Sequence, residues 1–308
     1  MAAFLNSLPG AVAQGIIWGI MAIGVYITYR VLDIADLTVD GSIATGGAVF
    51  VVLTTSGVNI YISMLAAFLA GCLAGLATGI FHVAFGIPPI LAGILTQLAL
   101  YSVNLRIMSG NANIAVNFRK FNLLVTLSSI NKSIIVGAVF AVVLILILYW
   151  FFGTQFGSAI RATGCNIAMS RANGINTNFN KVFGLVLSNG IVALSGALLS
   201  QYQGFADINM GRGAIVIGLA AVIIGEVVFK FFRNFALKLL SVVFGGVIYY
   251  IVITLVIQLG LNANDLKLFT ALVVAIFLGV PYWKSKAQTK FKRADKKETV
   301  AAGGASNA

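Results

Sequence analysis

Residues 133–152 have the sequence SIIVGAVFAVVLILILYWFF and contain no charged side chain. An α-helix needs roughly 20 mostly apolar residues to cross a bilayer, which is the length of this segment. The whole chain of 308 residues is 60% hydrophobic and only 9% charged, with a mean hydropathy of +1.01. Soluble domains carry about 25% charged residues. Lipid must therefore be the main solvent, and we predict an all-α polytopic membrane protein.

Apolar segments of this kind recur along the chain. We count nine, at residues 10–29, 41–57, 59–81, 87–103, 133–152, 182–201, 213–229, 235–259 and 267–283. The second and seventh are short for a full crossing, so we predict eight to nine transmembrane helices in a single domain, residues 1–283. The remaining residues 284–308 form a basic tail that ends in AAGGASNA, which we expect to be cytoplasmic, disordered and close to anionic lipid.

Positive charge predicts the orientation of the spans. With the basic tail inside and nine crossings, the N-terminus lies outside, and fourteen of the 20 Lys and Arg side chains fall on the inner side. This agrees with the tendency of cytoplasmic loops to be rich in Lys and Arg. Because the net charge of +12 resides in short loops and a tail, and not on a surface studded with aromatic residues, nucleic acid is not expected as a partner.

A short internal repeat joins the two halves of the sequence. ADLTV at residues 35–39 matches ADINM at residues 206–210, and each follows an apolar segment that ends near a tyrosine. Five spans separate the copies, and an odd number inverts their orientation. Inverted repeats with broken helices are common in transporters, so we predict two inverted halves. Chance similarity is the alternative, since the match covers five residues.

The third apolar segment carries small residues at intervals of four, Ala67, Gly71, Gly75 and Gly79. Together they form a smooth stripe on one helix face, where another helix can approach closely. We predict packing within the chain in preference to a subunit interface.

Signals for catalysis or metal binding are weak. His82 has no metal-ligand partner at useful spacing, and Cys72 and Cys165 are expected to be unpaired thiols. No glycine is followed by lysine anywhere, so the chain has no phosphate-binding loop of the Walker type. We therefore expect no metal, no cofactor and no ATP hydrolysis by this chain.

Glu226 is the one acidic residue inside the predicted spans, near the inner end of the seventh. Charge within a membrane is costly and often functional. We expect an interfacial ion pair with Lys230 or Arg233, and a transport role is the alternative.

The loop 153–181 is long for a connection between spans. Asn166 is a good N-cap, residues 167–173 can form two helical turns, and Gly174 suits the position after the helix. A short capped helix facing the cytoplasm indicates a docking element, and an ordinary loop with one helical turn is the alternative.

Residues 157–176, GSAIRATGCNIAMSRANGIN, resemble the cytoplasmic loop of the branched-chain amino acid/ribose family of ABC transporter permeases. In that family the pattern G-x-A-x-R-A, a helix of small residues and then G-I-N precede a span. The stretches 32–47 and 196–218 also resemble the family, and the likeness covers most of residues 10–283.

The resemblance implies an ABC importer permease fold in which this loop holds a coupling helix that docks on a separate ATPase subunit. The implied docking residues are Gly157, Arg161, Ala162, Gly164, Asn166, Ala168, Ala172, Gly174, Ile175 and Asn176. An extracytoplasmic solute-binding protein and a second permease chain, forming a homodimer, are the other implied partners. The sequence DLTVDGS at residues 36–42 resembles that of a sub-branch of the family for tryptophan- or tyrosine-like amino acids. Other members carry ribose, other sugars or nucleosides.

Two groups of residues are functional candidates on this interpretation. The candidates for broken helices at the pore are Asp36, Thr38, Asp40, Asp207 and Asn209. In the outer segment 104–132 and beside the second repeat copy, candidates for docking the binding protein are Arg106, Arg119, Lys120 and Arg212, with a solvated loop as the alternative. A stand-alone secondary carrier or channel is the main rival function, and a membrane scaffold is a more distant one.

Overall fold

The computed structural model describes residues 2–117, 121, 123–232 and 234–258, with side chains from Ser7 onward, and a few isolated residues between 268 and 279. The chain divides into two units, Met1–Gly260 and Leu261–Ala308. Those isolated residues are all that is described of the second unit. The tail 284–308 lies outside the described residues, as does most of the ninth predicted segment, 267–283. All contacts below belong to the first unit.

Helices form nearly all of the described first unit. They are α1 (Ala2–Tyr26), α2 (Val39–Thr55), α3 (Ile60–Val83), α4 (Pro89–Ile107), α5 (Ile130–Gly153), α6 (Gln155–Cys165), α7 (Ile167–Ala172), α8 (Thr177–Gln203), α9 (Ala214–Val228) and α10 (Phe235–Gln258). A π-helical turn, Ile27–Val31, extends α1, and a 3₁₀ turn, Leu127–Ser129, precedes α5. Two short strands, β1 (Asn113–Ala115) and β2 (Phe205–Asp207), complete the unit.

Six of the described helices, taken with their flanking turns, are long and apolar enough to cross a membrane, namely α1, α3, α4, α5, α8 and α10. The segments 41–57 and 213–229 correspond to α2 and α9, which have 17 and 15 residues. At about 1.5 Å per residue, neither reaches the roughly 30 Å of a bilayer core. The suspicion that these two segments are short is therefore confirmed, and the total number of crossings stays a prediction.

The long helices give the bundle two end faces. The β face carries β1 and β2, next to the start of α1, where the Tyr202 hydroxyl donates to the Gly10 carbonyl at 3.3 Å. The α6–α7 face carries α6 and α7, next to the end of α1, where Gly164 packs on the backbone of Val31. Since α8 begins beside α7 and ends beside β2, α1 and α8 are antiparallel.

The small-residue stripe of α3 packs against α8. A Cβ atom added at Gly79 would lie 2.9 Å from Val182 Cγ1, and one added at Gly75 would meet the backbone of Leu185. Ala67 and the neighbouring stripe residues are buried. The predicted packing within the chain is confirmed, and it brings the two halves of the sequence into close backbone contact.

The sequence did not lead us to expect a β-ribbon. β1 pairs antiparallel with β2, with Asn113 opposite Asp207 and Ala115 opposite Phe205. The Val116 amide continues the ribbon by donating to the Gly204 carbonyl at 2.8 Å. The ribbon therefore ties the α4–α5 connection to the α8–α9 connection.

Candidate functional site

The first interruption of the helical path lies between the π-helical turn and α2. Asp33 has a φ of 55°, a left-handed conformation, and residues 33–36 have no regular structure. The Asp36 carboxylate then accepts a hydrogen bond from the Thr38 amide at 2.9 Å, so the aspartate closes a tight turn just before α2. The chain is thereby turned back into the bundle to begin a new helix.

Asp36 also links this interruption to α8. Its second carboxylate oxygen accepts a hydrogen bond from Asn189 Nδ2 at 2.7 Å, and Asn189 Oδ1 accepts one from the Ser42 hydroxyl at 2.6 Å. The Asp36 residue is 3% exposed, and Ser42 and Asn189 are fully buried. A buried carboxylate needs such partners, because an unpaired one would be very costly. The network fixes the start of α2 on the middle of α8.

Thr38 belongs to a second polar chain that runs across α3 and α4. Its hydroxyl lies 2.7 Å from that of Thr78, which lies 2.9 Å from that of Thr96. All three threonines are buried. Three helices therefore meet through hydroxyl groups at the first interruption. Hydrogen bonds of this kind between helices contribute to helix association in lipid.

The second interruption separates α8 from α9. Gly204 ends α8 with a φ of 81°, and Gly213 precedes α9 with a φ of 86°. Between them, the Asp207 carboxylate accepts a hydrogen bond from the Asn209 amide at 2.6 Å. Asp36 makes the same turn in the first interruption, where its carboxylate also accepts from the amide two residues further along the chain.

Asp40 connects the two interruptions. It lies in the first turn of α2, and its carboxylate accepts hydrogen bonds from the Gly213 and Ile215 amides, each at 2.9 Å. These amides are at the start of α9, where backbone N–H groups lack helical partners. From this meeting point α2 runs towards the β face and α9 towards the α6–α7 face.

Contacts between α1 and α8 occur in equivalent pairs. The Ser188 hydroxyl donates to the Gly24 carbonyl at 2.8 Å, and the Ser195 hydroxyl donates to the Ile17 carbonyl at 2.7 Å. Ser188 follows Ile17 by 171 residues, and Ser195 follows Gly24 by the same 171. Adding 171 to the first-half residue of one pair and subtracting 171 from its second-half residue therefore generates the other pair.

A second set of contacts has the same offset. A Cβ atom added at Gly19 would lie 2.9 Å from Val243 Cα, and one added at Gly190 would lie 2.7 Å from Cys72 Sγ. Gly190 follows Gly19 by 171 residues, and Val243 follows Cys72 by 171. The repeat copies at residues 35–39 and 206–210 are also 171 residues apart.

The predicted loop 153–181 contains two helices. α7 is the predicted one: the Asn166 side chain accepts from the Met169 amide at 2.9 Å, and Gly174 has a φ of 75°. α6 was not predicted, although Thr154 offered a cap signal, and its hydroxyl accepts from the Gly157 amide at 3.2 Å. The helix prediction for α7 is confirmed, and the loop contains α6 in addition.

The ten candidate docking residues fall into two groups. Gly157 and Gly164 face inward, because a Cβ atom at either position would meet backbone of α5 or of the π-helical turn. Ala162 and Ile175 are half-buried, and Asn176 caps α8 by accepting from the Phe179 amide at 3.1 Å. The exposed members are Arg161, Asn166, Ala168, Ala172, Gly174 and Asn176.

Two apolar side chains on α7 were missed as candidates. Met169 is 64% exposed and Ile167 is 40% exposed, beside the small residues Ala168 and Ala172. α6 leads directly into α7 and is itself fixed to α8, because Asn180 Nδ2 at the start of α8 donates to the Thr163 hydroxyl at 2.9 Å. α6 thereby holds this surface in place. The sequence did carry the signal, since a methionine on a water-facing helix turn is unusual unless a partner covers it.

The candidates for the binding protein lie on the β face where they are described. Arg106 is exposed near the end of α4, and Arg212 is exposed just before α9. Arg119 and Lys120 lie outside the described residues. Asp207 lies in β2 and Asn209 is exposed beside it, so these two pore candidates belong to the β face. Asp36, Thr38 and Asp40 lie within the bundle.

Glu226 forms an ion pair as predicted, but the partner that the structure gives it, Arg30, was not among the predicted ones. The Glu226 carboxylate forms a two-point ion pair with the Arg30 guanidinium at the α6–α7 face, across 196 residues of sequence. Lys230 is exposed nearby, and Arg233 lies outside the described residues. The pair joins the end of α9 to the π-helical turn after α1.

A family model described as "Branched-chain amino acid transport system / permease component" matches residues 8–280. The chain belongs to this family. The match includes both helix interruptions and the α6–α7 segment, and it confirms the resemblance seen in the sequence. Together with the six long apolar helices, it makes the chain a multi-pass membrane protein and an ABC transporter permease.

Curated relatives of this permease extend the comparison. It is 39% identical over 274 residues to the tyrosine transport system permease protein of Clostridioides difficile (strain R20291), covering 89% of this chain and 91% of the relative. It is 35% identical over 284 residues to the uncharacterized protein RP368 of Rickettsia prowazekii (strain Madrid E), covering 89% and 97%. Identity to the galactofuranose transporter permease protein YtfT of Escherichia coli (strain K12) is 31% over 193 residues, covering 62% and 55%.

A solved structure has a similar fold. A chain of PsaBC from Streptococcus pneumoniae, in complex with Fab, superposes on this permease with a TM-score of 0.51, covering 90% of this chain and 94% of that chain. At 17% sequence identity, this likeness concerns the fold alone.

Proposed function

We propose that this permease is the translocating subunit of an importer for a small solute, and that the solute is an aromatic or other hydrophobic amino acid. The observation that carries the proposal is the 39% identity to a tyrosine transport permease along nearly the whole of both chains. A binding protein would deliver the solute on the β face, where Arg106 and Arg212 are exposed.

The energy for transport would come from a separate ATPase subunit docked on α7. The exposed faces of Ala168 and Ala172 permit close approach, and Met169 supplies apolar area for a partner to cover. Without a Walker-type loop, the permease alone is expected to hydrolyse no ATP. α6 would transmit movement of α7 to the bundle, because its glycines contact α5 and the π-helical turn directly.

The two halves of the permease would be inverted repeats offset by 171 residues. The paired serine contacts between α1 and α8, the paired aspartate turns and the opposite directions of α2 and α9 support this proposal. Interrupted helices with their N-terminal ends near mid-membrane are the usual sites of gating in such folds. The junction at Asp40 would then be the place where the halves move relative to one another.

A homodimer of permease chains, with the N-terminus outside and the C-terminus in the cytoplasm, completes the proposal. Lys and Arg are more frequent in the segments assigned to the α6–α7 face than in those assigned to the β face, and this excess supports the orientation. It places α7 inside the cell, where an ATPase can reach it, and the β-ribbon outside.

Reconstitution tests the function directly. The permease would be placed in proteoliposomes with its ATPase and binding protein, and uptake of labelled tyrosine, tryptophan, leucine, ribose and galactose would be compared with and without ATP. ATP-dependent uptake of an aromatic amino acid is the expected result. Uptake of a sugar would favour the alternative, a sugar or nucleoside permease, which the identity to the galactofuranose permease supports. Uptake by the permease alone would favour a stand-alone carrier and refute the importer.

A further inference from the structure

Two neighbouring cavities open at the α6–α7 face, where the end of α5, α6 and the start of α10 meet. The larger has a volume of about 590 Å³ and the smaller about 280 Å³, and Arg161 and Phe235 line both. The larger lies within the range of roughly 300–1,000 Å³ that is usual for small-ligand sites. The proposed transport function uses neither cavity.

The charged side chains around these cavities are cationic. Arg161 lines both cavities, and Arg30 and Lys238 line the smaller one. Of these, only Arg30 has an acidic partner among the described residues, namely Glu226. Among the described residues, the Arg161 guanidinium contacts neutral groups, namely the Ser158 hydroxyl at 3.2 Å and the Phe235 ring at 6.0 Å from its centroid. Asp33 is exposed on the same face but lines neither cavity.

The backbone adds a further preference for negative charge. Thr154, the N-cap of α6, lines the larger cavity, so the N-terminal end of an 11-residue helix borders it. The first N–H groups of a helix lack helical partners and carry partial positive charge. Arg161 lies about two turns further along the same helix and lines the same cavity, so its charge and the helix end both favour an anion there.

Aromatic side chains place the larger cavity at the boundary between lipid and water. Trp150 is 72% exposed and Tyr149 is 46% exposed, and both line the cavity at the end of the apolar helix α5. Tryptophan and tyrosine concentrate at the head-group level of membrane proteins. The cavity therefore opens where phosphate groups of lipids are present at high local concentration.

We propose that these two cavities bind the phosphodiester head group of an anionic phospholipid of the inner leaflet. Arg161 and Lys238 would contact the phosphate, the start of α6 would face it, and Trp150 would lie along the lipid next to it. Basic pockets between membrane helices on the cytoplasmic side are suited to such head groups. The proposal gives Arg161 a ligand other than the ATPase, while α7 remains available for docking.

An acidic side chain of the ATPase would be the competing ligand. The position of the cavities favours lipid, because their described lining comes from α5, α6, α10, the connection before α10 and the end of α1, and includes no residue of α7. The exposed apolar residues of α7, Ile167 and Met169, are not part of either cavity.

Native mass spectrometry of the full-length permease in neutral detergent tests the proposal. Phosphatidylglycerol and phosphatidylcholine would be titrated against the wild type, Arg161→Gln, Lys238→Gln and the double variant. Near an anionic lipid each cation contributes about fivefold in affinity, so each single variant should bind phosphatidylglycerol about fivefold more weakly. Phosphatidylcholine should bind weakly and equally to all of them. Lys132→Gln, which removes an exposed charge at the other end of α5, is the matched control and should bind as the wild type does.

Arg161→Lys distinguishes charge from folding, since it keeps the cation and should keep most of the preference. Equal binding of the two lipids by the wild type, or unchanged phosphatidylglycerol binding by the double variant, would overturn the proposal. Full competition by inorganic phosphate would show a site for free phosphate and would also overturn it. So would loss of the bound lipid when the ATPase subunit is added, because the ATPase would then be the ligand of Arg161.

Discussion

The Asp40 carboxylate accepts a 2.9 Å hydrogen bond from the amide of Gly213, which lies 173 residues further along the chain. One side chain in the first turn of α2 thereby caps the start of α9, and the N-terminal ends of two short helices meet inside the bundle. α9 has no acidic residue of its own in its first turn. Asp40 is therefore shared between the two helices.

Substituting Asp40→Asn should destabilise this junction. An asparagine offers one acceptor oxygen in place of two and no charge, so one of the α9 amides would lose its partner. Loss of a helix cap or of a hydrogen bond to a charged group costs about 1–2 kcal/mol. We expect a lower thermal unfolding midpoint for the purified variant in detergent.

Asp33→Asn is the matched control. It makes the same chemical change at an exposed position with a φ of 55°, a conformation that asparagine tolerates. Equal unfolding midpoints for the two variants would contradict the capping role of Asp40.

Ala172→Trp should prevent docking of the ATPase on α7. Ala172 is exposed on the same face as Ala168, and an indole ring there would hold a partner away from the helix. We expect normal membrane insertion, loss of the ATPase in co-purification and loss of transport.

The control for that experiment is Asn131→Trp, an equally bulky change at an exposed position at the start of α5 on the β face. It should retain the ATPase. If Ala172→Trp also inserts normally, keeps its ATPase and transports, α7 does not couple the two subunits.

Gly174→Val should loosen α7 without adding bulk to the docking surface. Gly174 has a φ of 75°, which a β-branched residue adopts only at a cost of about 1 kcal/mol or more. The amides of α7 should then exchange with solvent about fivefold faster, as measured by hydrogen–deuterium exchange. Gly153→Val is the comparison, because no atom lies within 4 Å of a Cβ added there and its φ is not positive. Similar exchange in both variants would refute the role of the cap.

Cysteine labelling should find the N-terminus outside and the C-terminus inside. Single cysteines introduced at residues 3 and 303, in a background with both native cysteines replaced by alanine, would be treated with a membrane-impermeant maleimide in intact cells. The expectation follows from the distribution of Lys and Arg between the two sides. Labelling at residue 303 before the membrane is broken would invalidate the proposed orientation and the docking of an ATPase on α7.

Local signals in the sequence predicted the parts of this permease that depend on neighbouring residues. The α7 helix follows from the cap residue Asn166 and the glycine at 174, and the short lengths of α2 and α9 follow from counting apolar residues. The small-residue stripe of α3 correctly predicted close packing within the chain, against α8, because only small residues allow such close approach.

Interactions between distant segments could not be predicted in this way. Glu226 forms an ion pair with Arg30, whereas distance along the sequence favoured the nearby Lys230 or Arg233 as its partner. The same applies to the β-ribbon, whose two strands are three residues each and carry no alternation to detect. α6 was missed for a different reason, since its cap at Thr154 was overlooked beside the stronger signal of Asn166.

The contact between Gly190 and Cys72 has a practical consequence. Cys72 Sγ faces α8 at a place where even one extra carbon would not fit, whereas Cys165, the other thiol of the chain, is exposed. A bulky thiol reagent should therefore modify the exposed Cys165 faster than the half-buried Cys72, whose Sγ lies against α8. The two thiols thus serve as a reference probe and a reporter probe, and the ratio of their labelling rates with and without turnover would test whether the contact between α3 and α8 opens.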